Sequence, residues 1–156
     1  MNTLTDSKLD IQTSIEAPVS ASEAQEKIAC VSGWWCSSTV GSADKVGDTF
    51  RVTFDATFAD FRVAEIVPSR RTVWEVTDCG LPFLQNQTEW TGTKVVFDLE
   101  STGSGTRVTL THEGLTPSCE CYERCVQGWN FFVQDSLAKF LSHGVGDPQG
   151  SCASHN

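Results

Sequence analysis

Between Phe50 and Glu113 apolar and polar residues alternate, whereas from Thr116 onward the apolar residues recur at helical spacing. That one change of period restricts the fold more than any other feature of the chain. "FRVTF" sets Phe50, Val52 and Phe54 on one face, "TVWEV" pairs Trp74 with Val76, and "TKVVFDLE" aligns Thr93, Val95, Phe97 and Leu99. "STGSGT" joins this last strand to "RVTLTH" as a hairpin, and "VPSRR" supplies a turn between strands near 61–67 and 71–77. Earlier, "KLDIQTSIEAP" alternates Leu9, Ile11, Thr13 and Ile15 with polar residues and ends at Pro18. About six antiparallel strands result, one of them near the N-terminus.

Two helices frame them. Ser20 with Glu23 three residues on forms a capping box, and Ala21, Ala24, Ile28 and Val31 follow at helical spacing, predicting a short helix over 21–31 stopped by Gly33. Thr116 offers an N-cap, Pro117 suits the first helical position, Glu120 favours the dipole, and Gly144 closes a long helix over 117–143. At about 100° per residue, Tyr122, Cys125, Val126, Trp129, Phe132, Val133, Ser136 and Phe140 share one face of that helix. A sheet with one apolar face and one long amphipathic helix is an α+β arrangement in which the helix lies across the sheet. The expected organisation is a single domain over 9–148, with flexible ends at 1–8 and 149–156.

A chain of 156 residues is the usual size of one domain. Its net charge of −9, with no basic run beyond Arg70-Arg71, argues against nucleic acid or anionic membrane as partners. No window approaches the length of a membrane-spanning helix. "MNTLTDSKLD" lacks the basic start and apolar run of a secretory signal, so the expected location is cytoplasmic, with the seven cysteines reduced. Their odd number and the lack of paired CxxC units argue against a disulfide framework or a zinc site, and no metal or cofactor is expected. There is no GxSxG, HExxH, P-loop or Rossmann pattern. Asn86-Gln87-Thr88 matches a glycosylation acceptor that a cytoplasmic chain would not use.

The stretches "VGDTFRV" (46–52), "VPSRRTVWEV" (67–76), "EWTGTKVVFDL" (89–99), "GTRVTLTHEGL" (105–115) and "CYERCVQGWNFFVQDSLAKFLSHGVGDP" (121–148) together resemble the SRPBCC, or START-like, superfamily. More narrowly they resemble its branch named after the activator of the 90-kDa heat-shock-protein ATPase. The resemblance implies a helix-grip fold, a curved antiparallel sheet wrapped around a long C-terminal helix with a cavity between them. Members of the superfamily typically bind lipids, steroids, polyketides or other hydrophobic molecules there, and some are cyclases or hydroxylase subunits. The co-chaperone that gives the branch its name carries an additional N-terminal chaperone-binding domain, for which this chain has no room. A chaperone partner is therefore the weaker expectation, and a small hydrophobic molecule the stronger; the chain is read as monomer or homodimer.

If the sheet grips the helix, the lining should come from Phe54, Phe61, Trp74, Phe97 and Leu110 on the strands, and from Cys125, Trp129, Phe132 and Ser136 on the helix. Alternation along "RVTLTHEGL" puts His112 on the face of Val108 and Leu110, either as a satisfied structural histidine or as a polar anchor inside the cavity. Glu65 shares its spacing with Phe61, Val63 and Val67, which makes it a candidate acid or base beside His112; alternatively Ala64 and Ile66 mark the inner face. Trp34, Trp35, Trp74 and Trp90 either line the cavity or pin the sheet, and Phe58 and Phe83, expected in turns, are candidate lids. Cys119, at the expected helix N-terminus, is the candidate reactive thiol. Cys121 and Cys125 could share a side with His112, but three ligands without a fourth make a poor metal site.

Overall fold

The computed structural model describes residues 10–54, 56–82 and 84–148. The elements run β1 (Ile11–Ala17), α1 (Ala21–Ala29), α2 (Val31–Trp34), β2 (Val40–Gly41), β3 (Thr49–Phe54), β4 (Thr57–Val67), β5 (Arg71–Gly80), β6 (Lys94–Ser101) and β7 (Thr106–Glu113), then a C-terminal helix. We call the whole of that helix α3; it is α-helical over Tyr122–Trp129, π-helical over Asn130–Leu137 and α-helical again over Ala138–His143.

All strands join one antiparallel sheet in the order β1-β7-β6-β5-β4-β3-β2. Among the described residues the two-residue β2 brings the count to seven, against about six expected from the sequence. The curved sheet holds α3 against one face, the α+β helix-grip arrangement expected from the sequence. Alternation explains which face. In β7, Thr106, Val108, Leu110 and His112 are buried, and Arg107, Thr109 and Thr111 are not. The opposite face carries cross-strand ion pairs, Arg51 with Asp60, Arg62 with Glu75, Arg71 with Asp98, and Arg107 with Glu16 and Glu100. Exposed pairs of this kind keep the outer face polar and fix register more than they add stability.

β4 contains the main departure from simple alternation. Val63 opposes Trp74 and Glu65 opposes Val73, so Ala64 is an extra residue in the ladder. Before the bulge Phe61 and Val63 point inward and are fully buried; after it Glu65 is exposed and Ile66 packs on the core. Both alternatives left open for this strand are therefore half right. β4 also begins earlier than expected and places Phe58 opposite Thr53 and Gly80, in a strand rather than a turn.

Ser20 caps α1 as expected, its Oγ accepting the Glu23 N–H at 3.1 Å. The helix stops at Cys30 rather than at Gly33. Gly33 serves a close approach instead: a Cβ there would lie 2.6 Å from the Phe140 ring of α3. Gln25 ties α1 to the β4–β5 turn, donating to Val67 O and Arg71 O and accepting from the Ser69 N–H.

The start of α3 also departs from expectation. Residues 117–121 form turns and the helix begins at Tyr122. The Thr116 hydroxyl bonds Ser118 rather than capping, while the Glu89 carboxylate, from the β5–β6 loop, accepts the N–H groups of Glu120 and Cys121 at 2.8 and 3.0 Å. Glu120 reciprocates, its carboxylate accepting from the N–H groups of Gln85 and Asn86. The other end is as expected, with Gly144 left-handed at φ 82°. The expected flexible ends and the Phe83 lid lie outside the described residues.

Candidate functional site

Where the start of α3 passes the loops at one end of the sheet, an apolar groove of about 250 Å³ opens. Its walls are Trp35, just after α2, Phe54 and Thr57 at the β3–β4 turn, Trp90 in the β5–β6 loop, and Arg124, Cys125, Gly128, Trp129 and Phe132 on α3. Trp129 is the hub: its ring lies 4.9 Å from that of Trp35 and 6.3 Å from that of Trp90, nearly parallel to the latter. Phe54 and Phe132 face each other at 6.1 Å.

Four of the expected lining residues, Phe54, Cys125, Trp129 and Phe132, meet in this groove. Phe61, Trp74, Phe97 and Leu110 do not reach it; they are fully buried, with the Trp74 and Phe97 rings 4.7 Å apart edge to face. Ser136 is likewise buried, donating to Trp34 O and accepting the Asp147 N–H, so it ties α2 and the chain after α3 to the helix. Trp34 is core, while Trp35 and Trp90 are lining. Sequence reasoning missed Thr57, Arg124 and Gly128. Gly128 alone left a signal, a glycine inside an otherwise amphipathic helix.

His112 is wholly buried directly behind the groove wall and does not line it. The Trp129 Nε1–H donates to its Nδ1 at 3.0 Å, which leaves the proton on Nε2, 2.8 Å from Thr93 Oγ1. Thr93 in turn donates to Trp90 O at 2.6 Å. The relay fixes the tautomer, satisfies each group and connects Trp90 and Trp129, two of the three tryptophans of the groove. Burial pushes the His112 pKa down to about 3, so the ring is neutral. With both nitrogens engaged and Glu65 exposed beyond the bulge, the expected acid–base pair is not brought together.

The cysteines divide differently from expectation. Cys119 lies before the helix, which begins at Tyr122, rather than at its N-terminus as expected, and its thiol donates to Gly114 O. Cys121 and Cys125 do share a side, their sulfurs 2.7 Å apart. His112 cannot join them as a ligand, because both its nitrogens are taken.

The fold and the groove define an α+β protein of the helix-grip class, with an aromatic recess at one end of its gripped helix. The chain belongs to the family described as Activator of Hsp90 ATPase homolog 1-like protein, whose sequence model matches residues 26–142. Among solved structures it is similar to the Aha1 dimer from Colwellia psychrerythraea, at 25% identity and TM-score 0.72 over 88% of this chain and 98% of that one. It is also similar to SSP2350 from Staphylococcus saprophyticus, at 18% identity and TM-score 0.68 over 91% and 98% of the two chains. A third, CV1439 from Chromobacterium violaceum, shares 16% identity and a TM-score of 0.66 over 86% and 97%. The latter two likenesses are of fold alone. No curated protein matches the sequence significantly.

Proposed function

We propose that this chain binds a small hydrophobic molecule in the groove between the sheet loops and α3. The observation that supports the reading most is the lining itself: Trp35, Phe54, Trp90, Trp129 and Phe132 converge on one recess, with Arg124 at its edge. Rings held by mutual contacts and by the His112 relay present a preformed apolar surface, which lowers the ordering cost of binding. A volume of about 250 Å³ lies just under the usual range of about 300–1,000 Å³ for ligand pockets. It suits a compact planar ligand, or one whose remainder extends from the open mouth. In this reading His112 positions Trp90 and Trp129 and does not touch the ligand.

The family description and the Colwellia relative point to a second occupant of the surface, a chaperone or a second copy of the chain. The groove favours the small molecule. Native mass spectrometry of protein purified from its own cells tests this, with a Gly128→Phe variant whose ring would fill the recess. A small mass that travels with the natural chain and is lost from the variant supports the reading. A bare chain from its own cells, or stimulation of a chaperone ATPase equally by both forms, would overturn it.

A further inference from the structure

Two thiols face each other where the wall of the groove meets the interior, Cys125 in the lining and Cys121 behind it, and ligand binding as proposed makes no use of that pairing. Cys121 and Cys125 lie one helical turn apart, joined by the Cys125 N–H to Cys121 O bond at 2.8 Å, with their sulfurs at 2.7 Å. We propose that they form a reversible dithiol–disulfide site, oxidised by exchange with a low-molecular-weight disulfide that enters at the groove.

Three features support it. The first is distance. A disulfide holds its sulfurs at about 2.05 Å, and this pair already stands at 2.7 Å across the first turn of α3. Glu89 holds the turn in place by accepting the Cys121 N–H.

The second is access. Cys125 lines the groove, whereas Cys121 is 1% exposed and lies outside the lining. An incoming disulfide therefore meets Cys125 first, and among the described cysteines Cys125 is the one whose sulfur bonds that of Cys121. These are the separate positions of an attacking and a resolving thiol.

The third is the local field. The buried Trp90 indole N–H has no conventional hydrogen-bond partner and favours the thiolate form of both sulfurs. Hydrogen bonding within the pair, chiefly, holds the Cys125 thiol below its ordinary value and Cys121 above it; Arg124 also lowers Cys125, and Glu89 opposes. The sulfurs of Cys36 and Cys79 instead bond backbone oxygens, those of Thr53 and Gln87.

The exchange balances in two steps. The Cys125 thiolate attacks one sulfur of the small disulfide; a bond to Cys125 forms, the small disulfide's S–S bond breaks, and one small thiolate leaves. Cys121 then loses its proton and attacks the Cys125 sulfur, which forms the Cys121–Cys125 bond and expels the second small thiolate. In sum two protein thiols are oxidised and one small disulfide is reduced to two thiols.

Peptide mapping tests this on the full chain, because trypsin cleaves after Arg124, between the two cysteines. After incubation with glutathione disulfide and quenching by alkylation, peptides 108–124 and 125–139 should be recovered joined, lighter by two hydrogens than the sum of the peptides with Cys119 alkylated, and separated by reductant. Cys119 shares the first peptide, so Cys119→Ser must keep the joined product. Cys121→Ser must lose it and accumulate glutathione on Cys125. Separate peptides carrying alkylated thiols would overturn the proposal. So would loss of the joined product in Cys119→Ser, or glutathione remaining on Cys125 in the unsubstituted chain.

Discussion

His112 shows how one residue can govern the site without entering it. Unfolded, an imidazole titrates near its ordinary value of about 6.5; folded, burial holds it neutral down to about 3. Between those values the unfolded chain binds the extra proton, so this contribution to stability is complete above about pH 6.5 and is lost as pH falls toward 3. The slope approaches about 1.4 kcal/mol per pH unit in that window. We expect urea midpoints of the natural chain to fall between about pH 6 and 4.5 more steeply than those of His112→Gln. An unchanged slope in the variant would show that the ring is not held neutral. His112→Ala should also lower stability at neutral pH, by about 1–3 kcal/mol for orphaning the Trp129 N–H alone. Alternation along β7 was enough to place His112 inward; its partners were not legible, because Thr93 and Trp129 come from other elements. Glu65 failed for a different reason. The bulge at Ala64 reverses the faces of β4, and period-two reasoning cannot see an extra residue in a ladder.

At the scale of elements, the strands and the C-terminal helix were legible, and their ends and phase less so. Thr116, Pro117 and Glu120 satisfy the local rules for a helix start, yet the helix begins at Tyr122 because the two ends of the Glu89–Glu120 exchange lie about thirty residues apart. Local capping signals lose to a carboxylate delivered from another loop. Glu89→Ala should therefore act as the loss of an N-cap, costing about 1 kcal/mol. Hydrogen exchange should quicken at the Glu120 and Cys121 amides first; if those amides keep their protection, the cap is not Glu89. The π-helical stretch over Asn130–Leu137 explains the other miss. Bonds from i to i+5 add a residue per turn, so the buried face follows Cys125, Trp129, Val133, Leu137 and Leu141 at steps of four. A straight 100° helix predicts Phe140 on that face and leaves out Leu137 and Leu141, whereas Phe140 is only half-buried. No Pro or Gly in "NFFVQDSL" announces the widening.

Across the whole molecule, the fully buried core and the groove are two ends of one aromatic system. Trp35 stacks on Trp74 at 6.1 Å on the core side and meets Trp129 at 4.9 Å on the groove side, so it belongs to both. Periodicity identified that common face but not depth along it, which is why Phe61 and Phe97 could not be told from Phe54 in the sequence. Gly128 lies at the groove end. A Cβ built there meets nothing within 4 Å, and the position opens onto the groove. Gly128→Ala should raise stability by about 0.5–1 kcal/mol, since glycine is a poor residue in a helix interior and no neighbour has to move. It should also leave binding nearly intact. Gly128→Phe keeps most of the helix gain and puts a ring where the ligand would sit. A ligand that binds only the folded chain adds about 2.7 kcal/mol at a hundred times its Kd, so thermal melts with and without an apolar fluorescent probe distinguish the cases. The natural chain and Gly128→Ala should melt higher with probe, and Gly128→Phe should melt at one temperature throughout. A probe-dependent rise that survives in Gly128→Phe would move the binding site away from α3.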